Sequence, residues 1–290
     1  MDDAHHGHGR RHFLKKLAGT AAVTMAGGLA TMTAHAQPGA FPGKLLQVWS
    51  CGGLAEAMNP ANEIYEQRSG ARVSYTGAFA AALGKSLLGG STTEVFAGRV
   101  LDLARKLRHS GKMLYFKPLC FTSYVMVTPR GNPAKIASIE DMAKPGIKVV
   151  LAPEASPPGG AAALAVLKKA GIQDAVMKNC VTQGSCVQRT MDDIISGHGD
   201  VSIVELRVTR IPQFEGKMDV VEIPEALFPP PPLTFTIGVM KDAKDRALAD
   251  DYVTFMTSPE AQALLEQRGF IPASSDKGRT LVEKLGVKDA

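Results

Sequence analysis

The chain has little cysteine and no cysteine pair at redox or zinc-ribbon spacing. It holds four cysteines in 290 residues, Cys51, Cys120, Cys180 and Cys186, and no C-x-x-C motif. Thioredoxin-like chemistry and ribbon-type zinc sites therefore find no support. Basic residues are scattered among acidic ones, and no basic stripe interleaved with aromatic residues is present, which argues against nucleic-acid binding. After Met32 no apolar segment is long enough to span a membrane.

A catalytic residue set is also missing. An enzyme would be indicated by a nucleophile beside a base, by paired carboxylates or by a phosphate-binding loop. Asp192 and Asp193 are adjacent on a predicted helix, so that one of them faces solvent, and Gly159-Gly160 lacks the lysine of a P-loop. The sequence predicts neither an enzyme nor a cofactor.

The N-terminus shows three features of an export signal in the required order. Arg10-Arg11 opens a twin-arginine motif, an apolar stretch of small residues runs from Leu17 to Met32, and Ala34-His35-Ala36 matches an A-x-A cleavage site. The apolar stretch is too short and too rich in Gly and Ala to be a spanning helix. We therefore expect residues 1–36 to be a twin-arginine signal peptide and the remainder to work in the periplasm.

Beyond this leader, short apolar runs alternate with amphipathic stretches. Leu45 to Trp49 is predicted as a strand ended by the turn Cys51 to Gly53, and Gly70 closes the helix that follows. Ser258-Pro259 predicts a capped helix start, and the run Pro229 to Pro232 marks a crossing segment. The alternation predicts α/β lobes, each a mostly parallel sheet flanked by helices. A ligand would then lie at the carboxyl ends of the strands, against helix N-termini.

Three segments carry a family resemblance. They are ALGKSLLGGSTTEVFAG (Ala82 to Gly98), TPRGNPAKIASIEDMAKPGIKVVLAPEASPPGG (Thr128 to Gly160) and FTIGVMKDAKDRALADDYVTFMTSPEAQALLEQRGFIPA (Phe235 to Ala273). In this order they resemble the molybdate-binding proteins, the solute receptors of ABC importers. The resemblance implies the two-lobed periplasmic-binding-protein fold of type II, with two crossing segments as a hinge. Lobe 1 would comprise residues 37–121 and 232–290, and lobe 2 residues 122–231.

The resemblance also implies a ligand site between the lobes. The family holds a tetrahedral oxyanion with hydroxyls, backbone N–H groups and helix N-termini. Two family serines fall on the turn at Cys51 and near Phe79, where there is no hydroxyl, and the pocket tyrosine aligns with Glu205. A buried carboxylate repels a dianion unless it is protonated or paired, which makes molybdate itself a poor fit. The predicted ligand-binding residues are Cys51, Gly52, Gly53, Phe79, Ala80, Ser156, Gly159, Gly160, Ser185, Cys186 and Glu205.

The function implied by the resemblance is that of an exported solute-binding protein. It would capture a small inorganic ion, such as a molybdate- or tungstate-like oxyanion, and deliver it to an ABC permease in the inner membrane. We expect a monomer. Two alternatives stay open, a receptor for a thiophilic metal or metalloid that uses Cys51, Cys186 and Glu205, and a periplasmic sensor partner of a membrane kinase.

The cysteines lie beyond the predicted leader and would enter an oxidising compartment. Cys180 and Cys186 are close along the chain, and we predict a disulfide between them. Cys51 is either a packed residue, alone or paired with Cys120, or a thiolate at a helix start.

The export signal gives a first prediction. Replacing Arg10 and Arg11 together by Lys should leave the uncleaved precursor in the cytoplasm, because the arginine pair is the address of the pathway. Immunoblots of cell fractions measure this, and replacing Lys15 and Lys16 by Arg is the matched control. Normally cleaved periplasmic protein from the first variant would refute the twin-arginine assignment.

Overall fold

The structure is a computed structural model that describes residues 39–155, 159–228 and 234–289. The predicted leader lies outside these residues. Within the described ranges, no helix combines the length and the apolar character needed to cross a membrane.

Strands and helices alternate along most of the described chain. The strands are β1 (Leu45–Cys51), β2 (Arg72–Ala78), β3 (Val95–Arg99), β4 (Met113–Thr122), β5 (Tyr124–Pro129), β6 (Val149–Leu151), β7 (Cys180–Gln183), β8 (Ser202–Glu205), β9 (Met218–Glu222), β10 (Thr234–Met240) and β11 (Phe270–Pro272). The α-helices are α1 (Ala55–Ser69), α2 (Ala80–Leu88), α3 (Leu101–His109), α4 (Gly159–Lys169), α5 (Gln173–Lys178), α6 (Val187–Ile195), α7 (Arg246–Met256), α8 (Pro259–Gln267) and α9 (Asp276–Leu285). Short 3-10 helices cover Gly52–Leu54, Ile139–Ala143, Leu206–Arg210 and Glu225–Leu227.

Two groups of strands form two lobes. In lobe 1 the strand order is β11-β4-β10-β3-β1-β2, and lobe 2 contains the sheet β8-β5-β9 and the pair β6-β7. The chain leaves the first sheet after Thr122 and enters the second at Tyr124, and β10 returns it to the first sheet at Thr234. The predicted α/β fold with two lobes is confirmed, whereas the lobe boundaries given above stay a prediction.

The sheets are mixed, which corrects the expectation that they are mostly parallel. β1 runs parallel to β2 and β3, but β10 is antiparallel to β3 and β4, and β11 is antiparallel to β4. In lobe 2, β5 is antiparallel to both β8 and β9, while β6 pairs in parallel with β7 and an isolated parallel bridge joins Val149 to Val201. β4 leads out of lobe 1 and β10 leads back into it, so these neighbours run in opposite directions.

Both faces of each main sheet are buried under helices. In lobe 1 one core packs α1, α7 and α8 against the sheet, and a second core packs α2, α3 and α9 against its other face. β5 of lobe 2 shows the same arrangement, because Tyr124 and Met126 belong to one core and Val125 and Val127 to another. This two-sided burial explains why β3, β5 and β10 are buried along almost their whole length, whereas β2 at the sheet edge is not.

Local sequence signals set several helix ends as predicted. Gly70 ends α1 in the left-handed conformation, with φ of 74°. Ser258 caps α8 by accepting a hydrogen bond from the backbone N–H of Ala261, and Pro259 occupies the first helical position.

Glu94, just before β3, ties together backbone segments of lobe 1. Its carboxylate is 3% exposed and accepts hydrogen bonds from the backbone N–H of Gln47 at 2.8 Å, of Lys244 at 2.9 Å and of Asp245 at 3.4 Å. Both carboxylate oxygens are therefore used as acceptors.

Replacing Glu94 by Gln should lower the free energy of unfolding by about 1–3 kcal/mol, because the amide NH₂ must then face a backbone N–H. Urea unfolding followed by circular dichroism measures the change. Glu63→Gln, at an exposed position of α1, is the control and should be neutral. Equal stability of the two variants would show that these hydrogen bonds contribute nothing.

Candidate ligand-binding cleft

A cleft of about 490 Å³ lies between the two lobes. Lobe 1 contributes the turn after β1, the end of β2 with the start of α2, and Arg99 at the end of β3; lobe 2 contributes the start of α6 and the 3-10 helix after β8. The lining residues are Cys51, Gly52, Gly53, Glu56, Gly77, Ala78, Phe79, Ala80, Arg99, Val187, Gln188, Arg207, Val208 and Ile211. Strand ends followed by helix starts thus converge here, as expected for the ligand site of α/β sheets.

Several of the sequence-predicted residues come together in this cleft. Cys51, Gly52 and Gly53 form one part of its wall, and Phe79 and Ala80 form another. The two segments belong to neighbouring strands, because the end of β1 pairs with the end of β2.

Two further predicted residues line a smaller adjoining cavity of about 30 Å³. Glu205 and Gly160 are in its wall, and it shares Val187, Arg207 and Val208 with the cleft. Glu205 is therefore directly behind the cleft wall, on the side of lobe 2.

The other predicted residues are placed differently. Ser185 and Cys186 are exposed and immediately precede Val187 and Gln188, which do line the cleft. Gly159 is the first residue of α4. Ser156 lies outside the described residues.

A buried ion cluster connects the lobes at this point. Arg99 of lobe 1 donates through Nη2 to Oε1 of Glu205 in lobe 2, and Arg207 donates through Nε to Oε2 of the same carboxylate at 2.5 Å. The side chains of Arg99 and Glu205 are 3% and 6% exposed. Both carboxylate oxygens are thus engaged by guanidinium groups, which is the pairing that a buried carboxylate needs.

The cluster keeps the carboxylate ionised. Burial raises the pKa of Glu205, but the positive charges and hydrogen bonds of Arg207 and Arg99 outweigh it, and the pKa of Glu205 is lowered. Burial likewise lowers the pKa of Arg207, and the charge of Glu205 more than compensates, so that the pKa of Arg207 is raised. The cluster carries two positive charges and one negative charge, a surplus of one positive charge.

Arg99 has a donor that its protein partners do not use. Its Nε is buried without a hydrogen-bond partner, as is the hydroxyl of Tyr124. Its guanidinium lies 5.6 Å from the ring centroid of Phe235. Tyr124 pairs with Glu205 between β5 and β8, and Phe235 pairs with Arg99 between β10 and β3, so the ion pair lies where the chain crosses between the lobes.

A glycine lets Arg207 lie against the turn after β1. A Cβ at Gly53 would be 3.0 Å from Cζ and 3.2 Å from Nη2 of Arg207. A side chain at this position would require the guanidinium to shift by a few tenths of an ångström.

Three helical segments begin at the cleft without side-chain caps. The N-cap residues Cys51, Phe79 and Cys186 make no capping hydrogen bond, in contrast to Asp245 and Ser258 at α7 and α8. The first N–H groups of an uncapped helix have no intrahelical acceptor and favour an anion. Both lobes therefore bring uncapped helix starts to the cleft.

All four cysteines are free thiols in the structure, which corrects the predicted Cys180–Cys186 disulfide. The Cys180 thiol donates to the carbonyl oxygen of Thr182 at 3.2 Å, and the exposed Cys186 thiol lies 3.5 Å from Oε1 of Gln188. Cys51 and Cys120 are both buried as unpaired thiols.

The described residues also give no support to a metal site. No group of three or more His, Cys, Asp or Glu side chains in the described part of the chain is arranged to hold a metal ion. Glu205 is occupied by two arginines, and Cys186 is outside the cleft lining. The alternative of a thiophilic metal on Cys51, Cys186 and Glu205 is not favoured.

Sequence reasoning missed the two arginines. Arg99 ends β3 and Arg207 follows β8 by two residues, so both satisfy the strand-end rule used for the other predicted residues. Applying that rule to every strand would have found them. The pairing of Arg99 with Glu205 could not be deduced from the sequence, because the two residues are 106 positions apart along the chain.

Comparisons with known proteins identify the family of the chain. The profile of the family described as bacterial extracellular solute-binding protein matches residues 46–271. The molybdate-binding protein ModA of Mycobacterium bovis is 27% identical over 226 residues, which cover 77% of this chain and 83% of that protein.

Two solved structures share the fold. A substrate-binding domain from Clostridium difficile matches with a TM-score of 0.69 and 20% identity over 79% of this chain and 98% of that one. The periplasmic molybdate-binding protein of Azotobacter vinelandii matches with a TM-score of 0.63 and 18% identity over 78% and 98%. The chain therefore belongs to the bacterial extracellular solute-binding proteins, and it is a molybdate-binding-like solute-binding protein of an ABC transporter.

Proposed function

We propose that this protein, exported to the periplasm by the twin-arginine route, captures a small oxyanion between its lobes and delivers it to a permease in the inner membrane. The observation that carries the proposal is the buried Arg99–Glu205–Arg207 cluster at the interlobe cleft, with its surplus positive charge and the unpartnered Nε of Arg99. Guanidinium groups are well suited to oxyanions, because their donors form a planar fork.

Capture would follow from donors on both lobes. Lobe 1 offers the turn after β1 and the start of α2, and lobe 2 offers Arg207 and the start of α6. An anion that contacts both sets binds the closed arrangement more tightly than the open one, and so shifts the population toward it. The permease would then recognise the closed form.

Glu56 restricts where an oxyanion can bind in the cleft. It lines the cleft from the first turn of α1 and is only half-buried. An ionised carboxylate only accepts hydrogen bonds, so the oxyanion must bind on the arginine side, away from Glu56, or present a donor to it.

Arg207→Gln should weaken oxyanion binding by about tenfold to a hundredfold, because it removes charge-assisted hydrogen bonds worth roughly 1.5–3 kcal/mol. Isothermal titration with the tightest ligand of an oxyanion panel (molybdate, tungstate, sulfate, phosphate and simple carboxylates) measures the loss.

Arg210→Gln is the matched control, because Arg210 is exposed in the same 3-10 helix and is outside the cleft lining. It should bind like the wild type. Equal losses in both variants would mean that only the net charge of the protein matters, and an unaffected Arg207→Gln variant would remove Arg207 from the site.

The ion cluster also predicts a pH-dependent stability. Glu205→Gln should cost about 3 kcal/mol at pH 7, since it leaves two buried arginines without their carboxylate. Because the pKa of Glu205 is lowered in the folded state, its contribution is fully present above the ordinary pKa of about 4.3. It is lost as the pH falls through the lowered value.

Urea unfolding of wild type and variant at pH 7 and at successively lower pH tests this. The difference in free energy of unfolding should shrink on acidification. Glu215→Gln, at an exposed position of lobe 2, should differ little from wild type at every pH. A difference for Glu205→Gln that stays constant down to low pH would contradict an ionised, paired Glu205.

A further inference from the structure

The cleft combines a few charged side chains with apolar surface. Arg99 and Arg207 provide positive charge and Glu56 a carboxylate, whereas Phe79 on lobe 1 and Val187, Val208 and Ile211 on lobe 2 provide apolar surface. None of the described lining residues carries a hydroxyl group. The arginines and the backbone N–H groups are therefore the main donors available to a ligand, with Gln188 as the one neutral polar side chain in this lining.

An inorganic oxyanion makes poor use of such a lining. Every oxygen of a tetrahedral oxyanion is hydrated in water, and each hydrogen bond lost on burial must be replaced at the site. The side chains of Val187, Val208 and Ile211 cannot replace any of them. A ligand whose charged group is confined to one end avoids this cost.

Phe79 has a large exposed apolar surface that a bound ligand would cover. It is the N-cap residue of α2, lines the cleft and is 70% exposed, more than any other large hydrophobic side chain in the described part of the chain. It belongs to none of the described hydrophobic cores. An apolar group in the cleft would cover this ring, and burial of apolar surface favours binding.

The size of the cleft agrees with a ligand larger than an inorganic ion. Its volume of about 490 Å³ falls in the range of roughly 300–1,000 Å³ typical of pockets for organic molecules. Such pockets are lined mainly by apolar side chains with a few polar groups that orient the ligand.

We infer that the solute is an organic oxyanion, a carboxylate or phosphoryl compound whose charged head binds at Arg99 and Arg207 and whose apolar body lies against Phe79, Val187, Val208 and Ile211. This inference rests on the proposed function, because it concerns the ligand of the same cleft. The inferred ligand is an organic molecule with a charged head and an apolar body, in place of the inorganic ion expected from the sequence.

A panel of probes tests whether the ligand is an organic oxyanion and which charged head group it carries. Melting temperatures and dissociation constants of the full mature protein are measured with molybdate, sulfate and phosphate, and with acetate, benzoate, methylphosphonate and phenylphosphonate. We expect benzoate or phenylphosphonate to bind at least about tenfold more tightly than any of the inorganic ions, equivalent to about 1.4 kcal/mol. Comparing benzoate with phenylphosphonate distinguishes a carboxylate head from a phosphoryl head.

The outcomes separate this inference from the proposed function. Tighter binding of molybdate, sulfate or phosphate than of every organic probe overturns the inference and leaves the oxyanion receptor standing. Absence of binding by all seven probes overturns both. Native mass spectrometry of protein released from the periplasm provides a second measurement, because a bound organic acid and a bound molybdate differ in mass and isotope pattern.

A variant at Phe79 tests the apolar flank directly. Phe79→Ser should reduce the preference for phenylphosphonate over methylphosphonate by about tenfold. The variant should fold, because serine is a favoured N-cap residue and would cap α2. Val220→Ser, which shortens an exposed valine of β9 outside the cleft lining, is the control and should keep the wild-type preference. An unchanged preference in Phe79→Ser would remove Phe79 from the ligand site.

Discussion

The pairing of one buried carboxylate with two guanidinium groups constrains the whole interlobe region. Removing Arg99, Glu205 and Arg207 from water is costly, and their mutual charge attraction and hydrogen bonds compensate. Arg99 belongs to lobe 1 and its partners to lobe 2, beside the starts of β5 and β10. The ion cluster therefore fixes how the end of β3 meets the end of β8, and with it the shape of the cleft.

Much of the fold followed from local sequence signals. Gly70 and the Ser258–Pro259 pair marked helix ends correctly, because capping depends on residues close along the chain. Strand direction did not follow, since it depends on the route of the chain: β10 enters the first sheet from the second lobe and is antiparallel to its neighbours. The walls around Cys51 and Phe79 were predictable as strand ends. The Arg99–Glu205 pair was not, because it joins distant segments.

The chain keeps the fold of its family, but its cleft residues differ from those that the family resemblance implied. Its fold matches a molybdate-binding protein at 18% identity, yet positions at which the family resemblance implied hydroxyls hold Cys51 and Phe79, and the position of a tyrosine holds Glu205. Charged donors from Arg99 and Arg207 stand where uncharged donors were expected. Fold and family consequently identify a solute-binding protein, whereas the solute must be argued from the residues in the cleft.

The partial neutralisation of the two arginines by Glu205 also bears on how the ligand is released from the site. After a solute-binding protein releases its ligand, its site is empty. An empty site with unpaired buried cations would have a high free energy, which would oppose release. Here Glu205 stays bound to both guanidinium groups, so departure of an anion leaves one uncompensated positive charge in the cluster rather than two. The free-energy cost of releasing the anion is thereby reduced, and the same molecule is ready for the next transport cycle.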